Sequence, residues 1–224
     1  MSLSASYIPP LSLAAVSVLA LVVSDQRAAG AASLGRFLFK PLAALAFIWL
    51  GLTAGAMDSP YGRWLLAGLL LSALGDLCLM FENGSAFLAG LTAFLCGHLL
   101  YVIAFLQLSP NAIGLAWMLG PAITLCFLSL LWLWPHVPGD MRLPVLAYVL
   151  VITAMLLAAS LSAGLPGSAL AIAGAVGFAL SDLAVARNQF VAPGPANGLW
   201  GTPLYFASQL LLAASIAPLG HLAS

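Results

Sequence analysis

Two aspartates lie inside long apolar segments of this chain. Asp76 lies in residues 69–81 (LLLSALGDLCLMF), and Asp182 lies in residues 171–185 (AIAGAVGFALSDLAV). Each aspartate is followed by leucine and lies near the end of its segment. A charged side chain at the centre of a membrane helix costs about 2.5–3.5 kcal/mol or more, so such a residue is first interpreted as functional.

Two carboxyl groups that share an apolar cavity can perform acid–base chemistry. Burial and a nearby negative charge both favour the protonated form of a carboxyl group. One aspartate can then hold a proton near neutral pH while the other stays ionised, as a general acid and its charged partner require. The structural alternative is that each carboxylate pairs with Lys40, Arg187 or a tyrosine and only holds helices together.

Six further polar residues are candidates for the wall of such a cavity, namely Lys40, His98, Tyr101, Tyr148, Tyr205 and Gln209. Lys40 begins the second apolar segment, where it could bind a phosphate, neutralise an aspartate or extend to the lipid headgroups. His98 and Tyr101 are three residues apart, so they share one helix face. Tyr205 and Gln209, four apart, do the same. Hydrogen-bonded packing and an aromatic belt at the membrane surface are the structural alternatives.

The remaining chemistry-bearing residues predict no metal site, no cofactor and no covalent nucleophile. His136 and His221 lack the spacing of metal ligands, and the three cysteines lie in apolar segments as small buried residues. The chain contains no Gly-x-Ser-x-Gly sequence, phosphate-binding glycine loop or dinucleotide motif. Its net charge of zero provides no basic surface for nucleic acid.

The composition identifies the environment in which these residues must work. Of the 224 residues, 63% are hydrophobic and 5% are charged, and the mean hydropathy is +1.13. Soluble domains have about 25% charged residues. We therefore expect an all-α, polytopic membrane protein, because helices satisfy their own backbone hydrogen bonds in lipid. The first apolar run lacks a preceding basic stretch, so it predicts a membrane helix and not a signal peptide.

The chain contains eight apolar segments, most of them near the ~20 residues that a helix needs to cross a bilayer, and the first two are shorter. They predict one membrane domain, residues 1–224, built as a bundle of eight transmembrane helices with short loops. The expected helices cover residues 7–23, 41–56, 64–81, 86–108, 112–134, 143–161, 167–186 and 199–219.

The basic residues predict the orientation of the bundle. The odd-numbered loops, with the helix ends beside them, hold five basic residues, and the opposite side holds only Arg63; the five are Arg27, Arg36, Lys40, Arg142 and Arg187. By the positive-inside rule the odd-numbered loops face the cytoplasm. Both aspartates lie near helix ends on that side. We therefore expect an integral protein of a bacterial inner (plasma) membrane, with its active site on the cytoplasmic side.

Three segments of the chain resemble the lysoplasmalogenase (YhhN-like) family of multi-pass membrane hydrolases. Residues 74–81 (LGDLCLMF) contain a Gly-Asp and a Leu-Met pair, and residues 90–105 (GLTAFLCGHLLYVIAF) follow with His and Tyr three apart. Residues 179–190 (ALSDLAVARNQF) are similar to the family's Ser-Asp segment, although Arg187 is spaced further from the Phe. Smaller similarities bring the likeness to residues 37–214; they are residues 39–42 (FKPL), Tyr148, residues 203–205 (PLY) and Gln209.

This resemblance implies a fold of eight helices and hydrolysis of the vinyl ether bond of lysoplasmalogens. The products would be a fatty aldehyde and a glycerophospho-ethanolamine or -choline, formed without a metal or organic cofactor. The implied partners are a lysophospholipid substrate and membrane lipids. Asp76 and Asp182 would be catalytic, and the implied cavity wall is Lys40, His98, Tyr101, Tyr148 and Tyr205.

Two other functions fit the same residues. Intramembrane carboxylates and histidine also form proton relays, as in a proton-coupled transporter of small molecules or lipids. The concentration of ionisable groups in one leaflet counts against a transport path, which needs polar groups across both leaflets. The third hypothesis is a non-catalytic membrane scaffold, in which both aspartates serve only stability or assembly.

Overall fold

The computed structural model describes residues 5–28, 33–81 and 83–223, and every regular element among them is helical. The all-α prediction is therefore confirmed. The described residues form eight α-helices in chain order: α1 (Ile8–Arg27), α2 (Leu34–Thr53), α3 (Pro60–Cys78), α4 (Gly84–Phe105), α5 (Ala112–Leu133), α6 (Arg142–Ser160), α7 (Ser168–Ala186) and α8 (Pro195–Gly220).

Seven of these helices are long and apolar enough to cross a membrane, and α3 is not among them. This helix carries both Arg63 and Asp76. It packs against α2, α4 and α8, which bury Asp76, whereas Arg63 near the other end of the helix is exposed. The expected multi-pass membrane bundle is confirmed, and α3 belongs to it through its contacts with three other helices.

The second helix begins seven residues earlier than the apolar pattern predicts. Ser33 caps α2 by accepting a hydrogen bond from the backbone N–H of Arg36, and the helix starts at Leu34. Hydropathy misses this first turn because a capped helix end tolerates polar residues. Lys40 therefore lies in the second turn of α2, which continues through Pro41. Similar extensions carry α1 past residue 23 and begin α3 and α8 before residues 64 and 199.

Consecutive helices pack as four pairs: α1 with α2, α3 with α4, α5 with α6, and α7 with α8. The last helix also contacts α1, α2 and α3, so α8 lies at the centre of the bundle. Contacts of α6 with α4 and α7 attach the third pair. The outer face of α5 exposes Trp117 and Phe127, as expected for a helix that faces lipid.

Glycines allow α3 and α4 to approach closely. A Cβ atom at Gly68 would overlap the ring of Tyr101, and a Cβ atom at Gly75 would lie 2.7 Å from the ring of Phe94. Small residues at membrane helix interfaces let the backbones come together in this way. The close packing fixes α3, and with it Asp76, against the aromatic face of α4.

We expect Gly68→Ala to destabilise the bundle by about 1–3 kcal/mol, because the added methyl group overpacks the buried ring of Tyr101. The matched control is Gly198→Ala in α8, where a Cβ atom would meet only the hydroxyl of Thr202, at 3.8 Å. Unfolding in detergent micelles, titrated with denaturant and followed by circular dichroism, measures both. Equal stability of the two variants would contradict this packing argument.

Candidate active site

A cavity of about 700 Å³ lies at the end of the bundle where the odd-numbered loops connect the helices. All eight helices contribute to its wall. The contributing residues lie toward the ends of α1, α3, α5 and α7, in the first half of α2, α4 and α8, and up to Thr153 in α6. Five of the predicted site residues line the cavity: Lys40, Asp76, Tyr148, Asp182 and Tyr205.

Asp76 is held by two partners from other helices. Its Oδ1 lies 3.1 Å from Nζ of Lys40, and its Oδ2 accepts a hydrogen bond of 2.7 Å from the hydroxyl of Tyr205. Only 2% of Asp76 is exposed. A carboxylate this deeply buried needs a paired cation and hydrogen-bond donors to remain charged. Lys40, the chain's one lysine, thus neutralises Asp76, which was one of the three roles that the sequence left open.

Asp182 has different partners. The hydroxyl of Tyr148 donates to its Oδ2 at 3.2 Å, and Nε2 of His98 lies 3.3 Å from the same oxygen. No described residue donates a hydrogen bond to Oδ1. The side chain is 12% exposed and lines the cavity. Asp182 therefore keeps one carboxyl oxygen for a ligand, whereas both oxygens of Asp76 are occupied.

A proton must lie between Nε2 of His98 and Oδ2 of Asp182. Nδ1 of His98 lies 2.7 Å from the carbonyl oxygen of Phe94, and a carbonyl oxygen can only accept. The hydrogen-bond partners therefore assign a hydrogen to Nδ1. Nε2 is fully buried and makes no well-aligned hydrogen bond to a described residue. Two bare acceptors would repel each other at 3.3 Å, so either the carboxyl group or the imidazole carries the second proton.

The ring of Phe178 contacts one partner of each aspartate, namely His98 beside Asp182 and Tyr205 beside Asp76. It stacks on the imidazole of His98 with ring centroids 4.2 Å apart, and it approaches the ring of Tyr205 at 5.5 Å. Phe178 is fully buried. Its position four residues before Asp182 places both on one face of α7, so the helical spacing was a usable signal for this residue.

Three predicted wall residues lie outside the cavity lining. His98 lies behind Asp182, while the hydroxyl of Tyr101 donates to Oε1 of Gln209 at 2.6 Å in the core. Tyr101 lies about one turn deeper than His98, and Gln209 one turn deeper than Tyr205, which is ~5–6 Å along each helix. Tyr101 and Gln209 were predicted to line the cavity because helical spacing indicates which face of a helix a residue lies on. It does not indicate how far the cavity extends along that helix.

Arg187 does not pair with either aspartate. It donates instead to Oδ1 of Asn197, whose amide donates to Oδ1 of Asn188 and to the carbonyl oxygens of Ala192 and Gly194. These bonds shape the connection between α7 and α8, which borders the cavity. The sequence gives no sign of this asparagine network, because its residues show no distinctive spacing.

The cavity wall changes in character from one helix pair to another. Apolar and weakly polar side chains form the part contributed by α5 and α6, including Leu125, Ser129, Val149, Ile152 and Thr153. Charged and amide side chains form the part near α1, α2 and the start of α8, including Asp25, Arg36, Lys40, Asn188 and Asn197. Within the described ranges, no group of three or more His, Cys, Asp or Glu side chains is arranged to hold a metal ion. The arrangement suits a ligand with an apolar chain and a polar end.

Comparison with known sequences identifies the family. Residues 35–216 match the model of the YhhN family over most of the chain. The chain belongs to the YhhN family. The matched region includes both aspartates and all of the predicted cavity residues.

Several relatives are named lysoplasmalogenases. The chain is 36% identical over 173 residues to a lysoplasmalogenase of Mycobacterium tuberculosis, covering 73% of this chain and 65% of that protein. It is also 36% identical over 173 residues to human lysoplasmalogenase TMEM86B, covering 75% of this chain and 68% of that protein. Bovine lysoplasmalogenase TMEM86A is 29% identical over 178 residues. The match thus spans just under two thirds of the mycobacterial relative, and no solved structure matches this chain.

We expect Lys40→Met to destabilise the protein by about 3 kcal/mol, because it leaves the carboxylate of Asp76 buried without its cation. The double variant Lys40→Met/Asp76→Asn is expected to recover most of that loss. Denaturant unfolding in micelles measures the cycle, and Arg27→Met, which removes an exposed cation, is the control. Additive effects of the two substitutions would show that the pair is not coupled.

Proposed function

We propose that this protein is a membrane-embedded lysoplasmalogenase. It hydrolyses the vinyl ether bond of a lysoplasmalogen to a fatty aldehyde and a glycerophospho-ethanolamine or -choline. The observation that carries the proposal is the pair of aspartates from α3 and α7 in the wall of one cavity, each with different partners. The lysoplasmalogenases among the relatives support the same reaction.

The reaction needs an acid, a negative charge and a water molecule. The acid transfers a proton to the vinyl carbon that is not bonded to oxygen, which leaves an oxocarbenium ion at the other carbon. Water adds to that carbon and loses a proton, giving a hemiacetal. The hemiacetal then breaks its bond to the glycerol oxygen, which takes up a proton as the aldehyde leaves. Glycoside hydrolysis uses two carboxyl groups for a related cation.

In this proposal Asp182 is the general acid. The proton of the carboxyl group lies on Oδ2, beside Nε2 of His98. Rotation of the carboxyl group about its Cβ–Cγ bond would turn this protonated oxygen toward the cavity, since no described residue donates a hydrogen bond to Oδ1. Asp76 is the charged partner that stabilises the oxocarbenium ion, since Lys40 and the hydroxyl of Tyr205 favour its ionised form. After proton transfer, the ionised Asp182 can accept the proton that the attacking water loses.

The cavity suits an amphipathic lipid with one chain. Its volume of about 700 Å³ falls within the ~300–1,000 Å³ of ordinary ligand sites. The apolar wall of α5 and α6 would receive the hydrocarbon chain, and the polar wall near α1 and α2 would receive the headgroup. The vinyl ether then lies between them, at the level of the two aspartates.

We also propose that the cavity opens to the cytoplasmic side of a bacterial inner membrane. The cavity lies at the end of the bundle that carries most of the basic side chains, among them Arg27, Arg36, Arg142 and Arg187. The positive-inside rule assigns such an end to the cytoplasm.

We expect Asp76→Asn and Asp182→Asn each to lower kcat by about 10²–10⁴-fold, the usual contribution of general acid–base catalysis. The assay follows aldehyde release from a lysoplasmalogen by the purified protein. Asp140→Asn is the control, because Asp140 is exposed and does not line the cavity. Absence of turnover in the wild-type protein, or full turnover in both variants, would rule out the proposed function. Lipid movement across vesicles without aldehyde release would favour a transporter.

We expect His98→Gln to lower kcat while changing KM little, since His98 acts on the substrate only through Asp182. The control is His136→Gln. His136 makes the same kind of contact, from Nδ1 to the carbonyl oxygen four residues earlier, but it is exposed. A parallel change in kcat and in the unfolding midpoint would instead indicate a purely structural role.

A further inference from the structure

We propose that Asp25 and Arg36 form a subsite for the zwitterionic headgroup of the lipid. Arg36 binds the phosphate, and Asp25 binds the ammonium group of the ethanolamine or choline. The proposal rests on the proposed function and adds to it the residues that select the headgroup. It predicts a preference for substrates that carry both charges over substrates that carry one or neither.

These two residues form a charge pair at the polar wall of the cavity. Nε of Arg36 lies 3.3 Å from Oδ1 of Asp25, and the hydroxyl of Ser33 donates to the same oxygen at 2.7 Å. Both charged residues line the cavity. Their side chains are 19% and 24% exposed, so they are held in place and still accessible to a ligand.

The position of Arg36 along α2 suits a phosphate. Arg36 lies four residues before Lys40. It is therefore one turn, or ~6 Å, closer than Lys40 to the start of the helix. In a lysoplasmalogen the glycerol backbone separates the vinyl ether from the phosphate by a comparable length. If the ether lies beside Asp76 and Lys40, the phosphate therefore reaches the level of Arg36.

Lys40 cannot easily serve the phosphate as well, because its ammonium group already neutralises Asp76. A guanidinium group, by contrast, offers several donors in a planar fork and can bind phosphate oxygens while it also contacts a carboxylate. The cation expected at the headgroup is thus Arg36, one turn from the residue that the sequence first suggested.

Asp25 supplies the opposite charge. Both of its hydrogen bonds to described residues, from Ser33 and Arg36, end on Oδ1. Its Oδ2 is therefore available for the ammonium group, which follows the phosphate in the headgroup. Arg36, near the start of α2, thus faces the negative phosphate of the ligand. Asp25, near the end of α1, faces its positive ammonium group.

Three substrates with the same alkenyl chain test this assignment. They are alkenyl-glycerophosphoethanolamine, alkenyl-glycerophosphate, which lacks the ammonium group, and alkenyl-glycerol, which lacks both charges. The measured quantity is the ratio of kcat/KM between substrates within one protein preparation. This ratio does not depend on the fraction of protein that is folded, so a poorly folding variant is still informative.

We expect Asp25→Asn to lower the preference for the ethanolamine substrate over the glycerophosphate about tenfold, the loss of one charge-assisted contact. We expect Arg36→Gln to lower the preference for the glycerophosphate over alkenyl-glycerol by a similar factor of about ten. Asp140→Asn and Arg27→Gln are matched controls, because both residues are exposed and outside the cavity lining. Both controls should keep the wild-type ratios.

Wild-type ratios in Asp25→Asn and Arg36→Gln would overturn the headgroup subsite and leave the hydrolase intact. A changed ratio in only one variant would overturn the assignment of the other residue. If the wild-type protein releases aldehyde from none of the three substrates, the proposed function itself fails. The two failures are therefore distinguishable.

Discussion

The charge of Asp76 sets the conditions for the rest of this structure. A carboxylate in the interior of a membrane bundle is unfavourable unless a cation and hydrogen-bond donors accompany it. Lys40 from α2 and Tyr205 from α8 provide them. Both helices pack on α3, and the early start of α2 at its Ser33 cap brings Lys40 into the second turn, at the level of the carboxylate. The helix that is least suited to lipid is in this way joined to the helices that neutralise its carboxylate.

The second aspartate has similar surroundings in sequence and different partners in space. Asp182 meets an imidazole and a phenol in place of a lysine, and one of its oxygens has no described donor. The proposed division of roles, with Asp76 as the charged group and Asp182 as the proton donor, rests on this difference between their neighbours. Phe178 packs against His98, the partner of Asp182, and against Tyr205, the partner of Asp76. These buried aromatic contacts connect the surroundings of the two aspartates.

Much of this arrangement could be predicted from the sequence. Hydropathy and segment length were enough to predict eight helices. The free-energy cost of a buried charge was enough to select Asp76 and Asp182 as candidate functional residues. Hydropathy placed Lys40 at the start of the second helix and not in its second turn, because it does not detect the capped beginning of α2 at Leu34. Helical spacing placed Tyr101 and Gln209 on the correct faces but one turn too deep for the cavity wall. The pair of Asp25 and Arg36 depends on how α1 meets α2, and no local pattern encodes that contact.

The most direct test of the account is a structure of the protein with a saturated 1-O-alkyl lysophospholipid, which has the ether oxygen but no double bond to protonate. We expect one carboxyl oxygen of Asp182 to lie about 3–3.5 Å from the carbon next to the ether carbon, the distance of a near-attack arrangement. The carboxylate of Asp76 should lie against the ether carbon itself, with the chain along α5 and α6. A lipid bound with its ether remote from both carboxyl groups would contradict the account.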